Sequence, residues 1–128
     1  MKIWKRLKFT QYLLLITILL SALPVWAAVD YLPFADEAIT VNGSTGFTVA
    51  KMTMQSGPNT GRVADAALVT VETDQIRIRE AGTPTSSVGH LLNPGDVFFI
   101  EGASAVKRFL AIKVTNNATI YATYYFIR

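Results

Sequence analysis

From residue 38 onward the chain alternates short runs rich in Val, Ile, Thr, Phe and Tyr with clusters of Gly, Pro, Asn and Asp. β-Branched and aromatic side chains suit a pleated surface, and the intervening residues supply turn conformations, so the pattern predicts strands joined by loops. No stretch keeps a helical period. The first run is Ala38-Ile39-Thr40-Val41; Asn42-Gly43-Ser44-Thr45-Gly46 closes it, and a second strand over residues 47–54 is expected to complete a hairpin. A loop over 55–61 leads to a third strand over 67–73. Gln75-Ile76-Arg77-Ile78-Arg79-Glu80 then alternates strictly, which turns Ile76 and Ile78 toward a core and Arg77 and Arg79 toward solvent.

Residues 81–95 carry Gly82, Pro84, Gly89, Pro94 and Gly95 and are expected to form a long connection, anchored by Val88, Leu91 and Leu92. After the turn composition Asn93-Pro94-Gly95-Asp96, the apolar run Val97-Phe98-Phe99-Ile100-Glu101 resumes strand. Two last strands, over 109–115 and 119–126, flank Asn116-Asn117-Ala118, which is expected to be a hairpin loop. In the final strand Ile120, Ala122, Tyr124 and Phe126 alternate with Tyr121, Thr123, Tyr125 and Ile127. Roughly seven strands without intervening helices predict an all-β fold, a small antiparallel β-sandwich or open barrel.

Upstream, Lys2, Lys5, Arg6 and Lys8 precede an uncharged run over 9–29, most apolar over 12–20, and Pro24 and Ala27 follow. A basic, then apolar, then small-residue order predicts an export signal cut between Ala27 and Ala28. The alternative is an uncleaved membrane anchor, since 9–26 is long enough to span a bilayer. In both cases the basic end stays in the cytoplasm and the rest is exported: periplasmic, extracellular, or membrane-anchored and facing outside. The expected organisation is a signal or anchor helix over 1–27, an extended arm over 28–37 and a β domain over 38–128.

The leader changes the meaning of the charge. The whole chain carries +3, yet from residue 28 eight basic residues face nine acidic ones, a net of −1. Arg77 and Arg79, with Lys107 and Arg108 elsewhere, make too small a basic set for nucleic acid, and membrane contact is expected only through residues 1–27 if uncleaved. There is no cysteine. Exported domains of this size often compensate for a small core with disulfides, so this one is expected to depend on packing or on oligomerisation.

The same inventory argues against an enzyme. His90 is the one histidine, and without cysteine no zinc or thiolate site can be assembled. His90 with Ser86 or Ser87 and Asp96 has the residue types of a nucleophilic triad, but no nucleophile-elbow pattern accompanies them. The expected role of His90 and Asp96 is instead to fix the path of the long loop. Glu72 with Asp74, and Asp96 with Glu101, are the available carboxylate pairs and read as turn and strand-end residues. Asp30, Asp36 and Glu37 lack the spacing of a calcium loop, so no metal and no cofactor are expected. Both tryptophans, Trp4 and Trp26, fall in the leader, which leaves Tyr121, Tyr124 and Tyr125 as the aromatic set for an interaction face, together with Arg77 and Arg79. Asn42-Gly43-Ser44 and Asn117-Ala118-Thr119 fit the glycosylation sequon.

The order of motifs from residue 67 to 126 resembles small uncharacterised β-sandwich proteins of tailed bacteriophages and phage-like environmental sequences. The resemblance lies in Leu68-Val69-Thr70-Val71-Glu72-Thr73 running into Gln75-Ile76-Arg77-Ile78-Arg79, then Gly82-Thr83-Pro84-Thr85 and Val88-Gly89-His90-Leu91-Leu92-Asn93-Pro94-Gly95-Asp96. Glu101-Gly102, Phe109-Leu110-Ala111-Ile112 and the words Ala118-Thr119 and Thr123-Tyr124 complete it. Ile78 stands where that group carries an aromatic residue. The resemblance implies a non-enzymatic sandwich of the kind presumed to be a virion or head-tail accessory component. The short Gly82-Thr83-Pro84-Thr85 segment also looks like a fragment of sandwich domains appended to secreted glycoside hydrolases.

The expected function is therefore that of a non-enzymatic structural or interaction protein that assembles with itself or docks on a larger surface through an edge strand or an aromatic face. The alternative is a secreted module that binds a carbohydrate or small ligand.

Overall fold

The computed structural model describes residues 28–79 and 82–128; the expected leader over 1–27 and its cleavage point lie outside the described residues. The strands are β1 (Tyr31–Val41), β2 (Ala66–Val71), β3 (Ile76–Ile78), β4 (His90–Leu92), β5 (Val97–Glu101), β6 (Ala111–Lys113) and β7 (Ala118–Ile127), with short helices α1 (Val49–Met52) and α2 (Ala103–Arg108). They form two antiparallel sheets, of order β1-β7-β2-β5 and β4-β3-β6. None of the described helices is long and apolar enough to cross a membrane.

Alternation in β7 organises the larger sheet. Ala118, Ile120, Ala122, Tyr124 and Phe126 are all buried, and the residues between them are not. Buried on one face and paired on both edges, β7 meets β1 from Tyr31↔Ile127 to Val41↔Ala118 and β2 from Ala66↔Tyr125 to Val71↔Ile120. One core cluster unites the sheets: Val69, Val71, Ile120 and Tyr124 from the first meet Ile76 and Ala111 from the second. Ala64, Ala67, Ala111, Ala118 and Ala122 are fully buried within it. Their small side chains make room for Tyr124 and for Phe47 stacked on Phe109 at 4.2 Å, the large-against-small complementarity that fills a sandwich-like interior.

Several expectations are corrected. Residues 47–54 are not a strand: after Phe47 the chain makes the single turn α1, which sets Met52 into the core, and Thr53 pairs back only with Val63. The expected hairpins do not form. β1 pairs with β7, and β6, which precedes β7 in the chain, belongs to the other sheet beside β3. Residues 28–37 do not form a separate arm, because from Tyr31 they enter the sheet as the first part of β1. The long connection contains a strand, β4, against β3. Finally, α2 interrupts what was expected as uninterrupted β: Gly102, at φ 99°, turns the chain out of β5 and into it.

Candidate functional site

Two features of this frame carry side chains suited to recognition, and the first is the outer face of the larger sheet. Register aligns Tyr121 with Thr70 and Val97, Thr123 with Leu68 and Phe99, and Tyr125 with Ala66 and Glu101. Since alternate residues of β7 are buried, these rows lie on the side away from the core. Val97, Phe99 and Tyr121 are 57%, 46% and 41% exposed there, among the most exposed large apolar side chains of the described residues. Tyr31 leans over this face from the start of β1. Its ring meets Phe99 edge-on at 5.2 Å and Tyr125 at 6.3 Å, and its hydroxyl donates to Glu101 Oε1 at 2.7 Å. This strap accounts for Ala66, which is fully buried although it faces outward and stands apart from the core cluster. The Tyr121 hydroxyl donates to Asp36 Oδ2 in the same manner. The hydrogen bonds to Glu101 and Asp36 raise the pKa values of Tyr31 and Tyr121 above the ordinary phenol value, with burial and the carboxylate charges adding to the effect.

Of the residues expected on an interaction face, Tyr121 and Tyr125 are on this one. Tyr124 is not: it points inward, is fully buried, and donates its hydroxyl to Glu37 Oε1, which also accepts the Thr48 N–H at 3.0 Å. Burial, then the bond to Glu37, pushes its pKa well above the phenol range. Glu37 is an inward-facing carboxylate on the edge strand β1, a placement that discourages pairing with a foreign strand. Arg77 and Arg79 sit on the smaller sheet, so they do not join the tyrosines.

Arg77 instead performs the loop-fixing task expected of His90. Its Nε donates to the Ser86 carbonyl at 3.0 Å and its Nη1 to the Gly89 carbonyl at 2.8 Å, which draws the loop after β3 back over that strand. His90 is exposed in β4, and among the described residues its side chain makes no hydrogen bond. Asp96 holds a tighter turn, accepting the Asn93 N–H on Oδ2 at 2.7 Å. Asp74, one of the carboxylates weighed for acid-base work, accepts from Asn116 and from the Gln75 N–H, and these bonds lower its pKa. No group of three or more potential metal ligands occurs among the described residues.

The second feature is an open groove of about 800 Å³ between the two sheets, on the side where β5 and β4 are the outermost strands. Its floor is apolar: Ile78, Leu92, Phe98 and Ile100 are half-buried and pack against the core, and Phe109 lies behind them. Its polar border is formed by Arg79, His90, Arg108 and Glu101. The Arg108 Nε is bonded to the Ser104 carbonyl at 3.2 Å, and Glu101 is the carboxylate that Tyr31 engages.

Sequence reasoning missed Val97, Phe99 and Tyr31 as surface groups. The signal was present in Val97-Phe98-Phe99-Ile100: a continuous apolar run implies burial on both faces only in a central strand, and β5 is an edge. No protein-family model matches the chain, and no curated protein and no solved structure matches it.

Proposed function

We propose that this is a non-enzymatic structural or interaction protein, exported by its leader as one small β-sandwich, that assembles with copies of itself through the outer face of the β1-β7-β2-β5 sheet. The observation that carries the reading is the exposure of Val97, Phe99 and Tyr121 on one sheet face, beside the rings of Tyr31 and Tyr125. Contiguous apolar surface rimmed by polar groups is characteristic of association sites. The face is also prepared for desolvation, because Asp36 and Glu101 already accept tyrosine hydroxyls. A domain without cysteine gains the stability it lacks in crosslinks by burying such a face in an assembly. The motif order from residue 67 to 126 adds the phage-like, virion-accessory character of the proteins it resembles.

The test is the mass of the purified protein by light scattering across a dilution series, for wild type and for Val97→Glu. A defined wild-type multimer that the substitution reduces to monomer is the expected result. A wild type that is monomeric at every concentration overturns self-assembly and turns attention to the same aromatic face as a stacking platform for a carbohydrate.

A further inference from the structure

We propose that the groove between the sheets is a binding site for a free amphipathic carboxylate, a fatty acid whose alkyl chain lies along the floor and whose head group meets the arginines. The groove meets the assembly face along β5, where Phe99 and Glu101 border both, but its floor and its arginines lie off that face, and the inference does not depend on self-association. Its floor of Ile78, Leu92, Phe98 and Ile100 is continuous with the core cluster yet only half-buried, so an alkyl chain laid there completes the packing of four side chains that the fold leaves half open. Its volume, about 800 Å³, falls in the range of sites for single small ligands.

The charge at the border selects the head group. Arg79 and Arg108 are both exposed at the groove, joined by His90, and the one carboxylate among them, Glu101, accepts the Tyr31 hydroxyl. Arg108 is steadied through Nε by the Ser104 carbonyl, an arrangement that presents the far edge of the guanidinium to an incoming carboxylate. A neutral sugar would find few hydrogen-bonding groups on this floor, and a cation would be repelled from its border. An anion with an apolar tail satisfies both parts at once.

The experiment is calorimetric titration of the full chain with dodecanoate below its micelle-forming concentration, alongside dodecanol, acetate and phosphatidylglycerol vesicles. One saturable dodecanoate site per chain is expected, with dodecanol and acetate each at least tenfold weaker. The double substitution Arg79→Gln with Arg108→Gln should weaken dodecanoate at least tenfold and leave dodecanol unchanged; both arginines are exposed, so the fold does not rest on them. Leu92→Glu, which sets a charge into the floor, should abolish the site. The Val97→Glu protein should bind like wild type, which separates this site from the assembly face. Absence of saturable dodecanoate binding, equal affinity in the double variant, or binding to vesicles without binding of the free acid overturns the proposal.

Discussion

Tyr124→Phe isolates a single hydroxyl in the middle of the core. The ring, in edge-on contact with Phe47 at 5.2 Å, is retained, and only the donor to Glu37 is lost. A hydrogen bond to a charged acceptor is worth about 1.5–3 kcal/mol. Glu37 is half-buried and keeps the Thr48 N–H, so it recovers part of that energy from water, and the expected loss at neutral pH is about 1–2 kcal/mol. The loss should then shrink in alkali. The pKa of Tyr124 is raised in the folded chain by burial and by the bond to Glu37, whereas the unfolded phenol ionises near its ordinary value of about 10. A raised pKa contributes stability that is complete below the unfolded value and is lost as pH rises above it. Each pH unit beyond that point removes about 1.4 kcal/mol from wild type through this residue and nothing from the Phe variant. The two proteins should therefore converge near a pH of about 11. Urea unfolding followed by circular dichroism at neutral pH, about pH 9 and about pH 11 checks this. Equal stability at neutral pH, or a difference that stays constant into alkali, would refute the reasoning.

Two further substitutions probe the loop that follows β3. Gly89 has φ 130°, and a Cβ there would stand 2.6 Å from the Ile78 carbonyl oxygen, so Gly89→Ala should cost about 2 kcal/mol or more in urea unfolding, whereas Gly43→Ala, with open space around it, should be nearly neutral. Arg77→Gln should release the Ser86 and Gly89 carbonyls and speed hydrogen exchange at the Val88 amide, which is bonded within the same loop; unchanged protection would show that the loop holds its own path.

The strands that could be recognised from the sequence are those whose alternation meets one buried face. Ile76 and the even-numbered residues of β7 have that pattern, and both elements are where periodicity puts them. The stretch over 47–54 has the same β-rich composition, but packing of Phe47 and Met52 into the core overrides its local preference. β4 was hidden because three residues among glycines and prolines carry no period, and only the distant partner Ile76–Ile78 makes them a strand. At six residues, α2 is likewise too short for a helical period to show. The candidate site was half legible for a related reason. Alternation separates Tyr121 and Tyr125 from Tyr124, but it does not reveal that Tyr31 crosses the sheet to Phe99, or that Arg79 and Arg108 border one groove, because both facts depend on which strands are neighbours.

The position of β7 has a consequence for the order in which the molecule can be made. Among the described residues β1 has β7 as its sole neighbour in the larger sheet, and the contacts joining them, such as Asp36 with Tyr121, link residues 85 apart in the chain. β2 and β5 can pair as soon as both have left the ribosome, but β1 must wait, unpaired, while nearly every other strand is synthesised. Topologies with such distant pairings fold slowly, since the loop entropy is lost before the contacts compensate for it. The larger sheet thus stays incomplete, with β1 unpaired, until β7 arrives to join it to β2.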